Sequence, residues 1–182
     1  MKSKKIIAII MVVILLVGSA SATVIGVINS SKAKPKEGNE ILENRSYSVT
    51  AENNQTTSIS FKEDGNFEWK YDYADNTAVL SGEYHTYSGK EIERMYNAKK
   101  DSEGFTKDDL KTIKEAVESF VDTKLVSDVS DVIYIKMNNL NDTNKENSQF
   151  GDELIFFGMR TDENNFKLKE IKSRTIYSFV EN

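Results

Sequence analysis

The chain has no cysteine, which removes disulfide staples, thiolate metal sites and lipid attachment through an N-terminal cysteine. It has one proline, Pro35, so every later turn must be made by Gly, Asn, Asp and Ser. It has one histidine, His85, and an imidazole-based triad or zinc site would have to be built on that residue alone. Basic charge is also scarce past residue 36. The first 36 residues hold six lysines and no acid, and the remainder carries 18 basic against 29 acidic side chains, a formal charge of −11. Nucleic-acid phosphates demand a basic face, so this balance argues against a nucleic-acid partner.

What is present begins with a long apolar segment. Lys2, Lys4 and Lys5 precede an uncharged run from Ile6 to Ile28, 23 residues. As a helix it would be about 35 Å long, enough to cross a hydrocarbon core of about 30 Å. The flanking lysines set the N-terminus inside and the rest of the chain outside. Residues 1–28 are therefore expected to be a signal anchor, a single-pass transmembrane helix in the cell membrane. The alternative is a secretory signal peptide cleaved near Ala22, since Ala20-Ser21-Ala22 has the A-x-A form. Residues 29–44 are polar and carry Pro35, which predicts a tether. Residues 45–182 are long enough to form one domain with its own core.

Periodicity of two dominates that domain. Ile59 and Phe61 share a face, Asp64-Gly65-Asn66 supplies a turn, and Phe67, Trp69, Tyr71 and Tyr73 then recur at every second position. Val79 to Tyr87 predicts a further strand. The period changes in mid-chain. Ser88 caps a short helix over Glu91 to Lys100, and Thr106 with Asp109 forms a capping box before the stripe Leu110, Ile113, Val117, Phe120, Val121. Strands resume over Asp131 to Met137, Glu153 to Arg160, Phe166 to Ile171 and Thr175 to Val180, with Asn138 to Gly151 expected as a loop. The expected class is mainly β (α+β). It comprises an antiparallel small barrel or strongly curved sheet of about seven to eight strands, with one or two mid-chain helices covering an open end.

Two pieces carry a resemblance: the block Phe61-Lys62-Glu63-Asp64-Gly65-Asn66-Phe67-Glu68-Trp69, and Ser81-Gly82-Glu83-Tyr84 with Tyr87-Ser88-Gly89. They resemble uncharacterised membrane-anchored proteins of the Bacillota (clostridia and relatives), over most of residues 46–182. The architecture is also similar to bacterial lipocalin-like domains. The resemblance implies a bacterial, anchored, outward-facing small barrel, and it brings no active site.

Candidate chemistry is sparse. The aromatic stripe Phe67, Trp69, Tyr71, Tyr73 either fills a core or lines a cavity for an apolar ligand or a sugar. Asp142, Asn144, Glu146 and Glu153 stand at positions 1, 3, 5 and 12 of a calcium-loop spacing, although position 6 is Asn147 rather than Gly. His85 sits in a strand with no nucleophile beside it. Ser31-Lys32-Ala33-Lys34 matches an S-x-x-K spacing but falls in the tether, where no pocket could activate the lysine. No catalytic constellation appears, and no cofactor is expected beyond a weak calcium ion. The expectation is a membrane-tethered, non-enzymatic module that binds a small ligand or a surface protein. The rivals are an interaction, inhibitor or accessory subunit without a cavity, and a hydrolase working through carboxylates alone. A barrel filled by its aromatics and bearing an exposed apolar patch would favour the interaction subunit.

Overall fold

The structure, a computed structural model, describes residues 37–73, 76–98, 105–144 and 150–182. The expected anchor, most of the expected tether, the S-x-x-K match and Glu146 lie outside the described residues. So does the side chain of Tyr73.

Eight antiparallel strands close into a barrel in simple chain order. They are β1 (Arg45–Ala51), β2 (Thr56–Phe61), β3 (Asn66–Tyr73), β4 (Asn76–Ser88), β5 (Val132–Asp142), β6 (Glu153–Arg160), β7 (Phe166–Glu170) and β8 (Ile176–Glu181). Closure is made by β1 against β8, with Tyr47 opposite Glu181 and Ala51 opposite Tyr177. Each strand therefore has two partners, and no edge is left to template association. The first hairpin forms at the sequence-expected turn. Gly65 takes φ of 78°, the Asp64 carboxylate accepts from the Asn66 N–H, and Phe67 pairs with Phe61. Between β4 and β5 the register shifts at Gly82, where a Cβ would come within 2.6 Å of the Asn138 carbonyl. Only glycine lets the two backbones approach so closely at this bulge. β5 then continues to Asp142, well into the segment that its Asn-rich composition marks as loop.

Alternation puts one set of side chains inside. Toward the end where β1 begins, Tyr47 packs edge-on against Phe61, Phe166 and Phe179 at 5.8–6.1 Å between ring centroids, and Phe61 meets Tyr84 at 4.8 Å. These rings are almost wholly buried and fill that half of the barrel. Each contributes on the order of 1.5–3 kcal/mol by leaving water. The end is also plugged. Residues 37–44, expected as the close of the tether, instead turn inward through a single 3-10 turn, Gly38–Ile41. Ile41 and Leu42 join the interior cluster. The Asn39 side chain donates to the Tyr84 carbonyl and accepts from the Thr86 N–H, so it mends the inner edge of β4.

The β4–β5 crossover carries two helices, α1 (Gly89–Asn97) and α2 (Lys107–Asp122). Both are capped at the expected residues, although α1 begins at Gly89 rather than Glu91. Ser88 with Glu91, and Thr106 with Asp109, form reciprocal capping boxes that satisfy donors the helices would otherwise leave open. The helices do not cover an open end, as expected from the sequence; they lie on the outer wall. Phe120 of α2 meets outward-facing Phe157 of β6 at 5.4 Å, and Phe105 meets Tyr87 and Tyr134 at 5.3 and 5.5 Å. The reason is in β5, whose Val132-Ile133-Tyr134-Ile135 is apolar on both faces. Ile133 and Ile135 serve the interior, and Val132 and Tyr134 need a second cover. Among the described residues no helix is long and apolar enough to cross a membrane.

Candidate functional site at the barrel mouth

The end opposite the plug is open. Its rim is built by the β1–β2 turn, the end of β3, Phe150 and Gly151 ahead of β6, and the β7–β8 turn, and it surrounds a cavity of about 480 Å³. The cavity stops where the filled half begins. Its floor is aromatic: Trp69 stands 6.0 Å from Phe156 and 5.9 Å from Tyr177, and Phe156 stands 5.7 Å from Tyr177. Phe150, from the β5–β6 connection, closes the wall at 6.2 Å from Trp69 and 5.3 Å from Tyr71.

Strand parity explains this assembly. Trp69 and Tyr71 follow Phe67 on the inward face of β3, each about 7 Å nearer the mouth than the last. Phe156 and Tyr177 reach the same level from β6 and β8. Of the aromatic stripe read from the sequence, the structure brings Trp69 and Tyr71 to the cavity. Phe67 lies in the filled half, almost fully buried beside Gly82.

The polar handles of the floor are already engaged by the wall. Trp69 Nε1 donates to Thr57 Oγ1 at 2.8 Å. Tyr71 donates its hydroxyl to Asp142, 2.8 Å from both carboxylate oxygens. What these side chains offer the cavity is ring surface. Charge sits higher up. Glu170 is buried at the mouth, and its carboxylate accepts the backbone N–H groups of Lys172 and Ser173, which fixes the β7–β8 turn. Tyr177 lies beside it, its hydroxyl pushed up by burial and then by the Glu170 charge. Asp72 is exposed on the rim and accepts from Thr77 Oγ1. Lys172, also exposed, reaches across toward Gly151.

The calcium spacing is dispersed. Asp142 faces inward at the end of β5, where its carboxylate takes the Tyr71 hydroxyl and the Asn144 N–H. Glu153 pairs with Asn138 across the β5–β6 ladder and faces outward, its carboxylate 4.0 Å from Lys136 Nζ. The two carboxylates thus point to opposite faces of the sheet and do not converge. Among the described residues no group of three or more Asp, Glu or His side chains is placed to hold a metal ion. His85 faces outward in β4, exposed and opposite Lys136.

Sequence reading missed the other contributors: Phe150, Phe156, Tyr177, and the charged rim of Glu170 and Lys172. Phe156 carried a usable signal, since parity counted along β6 from Leu154 places it inward. Phe150 carried none, because it comes from the Asn-rich connection.

The class defined by these features is an eight-stranded up-and-down barrel, plugged at one end and open at the other onto an aromatic cavity. No protein-family model matches the chain, and neither a curated protein nor a solved structure is significantly similar to it.

Proposed function

We propose that the protein is a membrane-tethered, extracytoplasmic and non-enzymatic binding module that takes a small ligand into the mouth of a lipocalin-like barrel. The observation that carries this reading is the aromatic-floored cavity of about 480 Å³ at the open end. Sites for small ligands are concave, mostly apolar and ringed by a few polar groups, and this cavity has that composition. The rival interaction subunit calls for an exposed apolar patch. Among the described residues Val180 is the one large hydrophobic side chain left exposed. A carboxylate hydrolase is also less well supported. Asp131, whose carboxyl is pushed up by burial, lies just before β5 on the plugged end, away from the cavity.

Chain geometry fits the tethered arrangement. The plug and the start of β1 lie at one end of the barrel and the cavity at the other. A tether rooted in residues 1–28 would hold the mouth facing away from the bilayer, at high effective concentration toward solutes and surface neighbours. The test is mass spectrometry of a solvent extract of the full-length protein purified in lipid nanodiscs, set against empty discs. A small molecule enriched with the protein supports the reading. Identical extracts, together with failure of any added solute to change Trp69 fluorescence, would remove it. Trp69 is the sole tryptophan of the chain and lines the cavity, so its emission reports that site directly.

A further inference from the structure

We infer that the ligand of the mouth cavity is a compact organic cation, an ammonium group carried on or next to a small apolar body. The inference rests on the ligand-binding reading above and names the chemistry that the site selects.

Size comes first. Below the floor the barrel is filled by Tyr47, Phe61, Phe166 and Phe179, all almost wholly buried, so the cavity does not continue inward. A long acyl chain has no channel to occupy, whereas a body of one ring or a few alkyl groups fits the space. Hydrogen bonding comes second. The floor donors, Trp69 Nε1 and the Tyr71 hydroxyl, are committed to Thr57 and Asp142. A sugar, which needs several partners for its hydroxyls, would find ring faces there and forfeit hydrogen bonds it made in water.

Charge decides among the remaining ligands. Five aromatic rings surround the space, and the negative face of each attracts a cation within about 6 Å of its centroid, most strongly when water is excluded. Two of the rings are enriched by their surroundings. The Tyr71 hydroxyl donates a hydrogen bond to the Asp142 carboxylate, which polarises electron density toward the ring, and Tyr177 lies against the Glu170 charge. Of the charged residues at the mouth, Glu170 faces inward opposite Phe156, Lys172 stands on the β7–β8 turn, and Asp72, on the outer face of β3, adds a second carboxylate at the rim. Glu170 is buried, so water screens its field poorly, while Lys172 is exposed on a turn and its field is damped by solvent. The net acidity of the chain past residue 36 adds attraction at longer range.

The experiment uses the full-length protein reconstituted in zwitterionic liposomes and reads Trp69 fluorescence. Three probes of similar shape are titrated: benzyltrimethylammonium, its neutral isostere neopentylbenzene, and benzylphosphonate. Liposomes carrying Trp69→Phe correct for partitioning into lipid. Benzyltrimethylammonium is expected to bind at least about tenfold more tightly than either of the others, as desolvated cation–π contacts of about 2 kcal/mol would give. Two rim variants fix the sign. Lys172→Gln should tighten cation binding by about threefold and Asp72→Asn should weaken it by a similar factor, both effects shrinking as salt rises. Tighter binding of the neutral or anionic probe overturns the cation inference and leaves the binding module standing. So does weaker cation binding in Lys172→Gln. Silence of Trp69 toward all three probes overturns both.

Discussion

Tyr47 shows at the scale of one residue how the barrel interior treats a polar group. It is fully buried, its hydroxyl makes no well-formed hydrogen bond among the described residues, and burial pushes it up to about 12 although Arg45 pulls the other way. Tyr84 is likewise raised to about 12 by burial. The sign follows from proton counts. Above the ordinary tyrosine value of 10.0 the unfolded chain loses these protons while the folded chain keeps them. Folding stability is therefore fully present below pH 10 and falls as pH rises from about 10 to about 12, by on the order of 2–3 kcal/mol for each tyrosine. Tyr47→Phe should remove one such share from the alkaline limb, measured by urea unfolding at pH 8 and pH 11. At pH 8 it should change stability by no more than about 1 kcal/mol, because no good hydrogen bond is lost. An alkaline limb as steep as that of the parent would contradict this account. None of it could be read from the sequence. Alternation announces that Tyr47 shares a face with Val49, but not that Arg45 lies near its hydroxyl.

At the scale of elements, local rules were the legible part. The Asp64-Gly65-Asn66 turn and both helix caps lie where side-chain chemistry within four residues demands them. The stripe from Leu110 to Val121 likewise describes one helix face. What escaped was set by distant partners. The helices settled on the wall because β5 is apolar on both faces, a continuous run that alternation alone does not interpret. The plug escaped because Ile41-Leu42 is too short to show any period, and its polar neighbours look like linker. Asn39 makes the plug testable. Its side chain joins two backbone groups of β4, the Tyr84 carbonyl and the Thr86 N–H. Asn39→Ala should cost about 1–3 kcal/mol, seen as a lower urea midpoint with an unchanged m-value. The Trp69 environment should be preserved, since the cavity is at the other end. A shift in Trp69 emission in the folded variant would show that plug and cavity are coupled.

The whole molecule joins a lysine-bearing apolar start to an acidic barrel, and that contrast underlies the proposed location. Fractionation of cells expressing the full chain should recover it intact with membranes, and protease added outside should remove the barrel. A shortened form beginning at Thr23 in the medium would instead mark the apolar segment as a cleaved leader. The closed ring also has a mechanical consequence. β1 enters and β8 leaves at the same end, side by side and antiparallel, with Asn182 bonded back to Ser46. Tension between the root of the chain and something fixed to Asn182 would peel this seam one hydrogen bond at a time. A load gripped at the far rim would instead pull along the strands and strain whole ladders at once. The same barrel should thus yield readily to one direction of force and hold firm against the other.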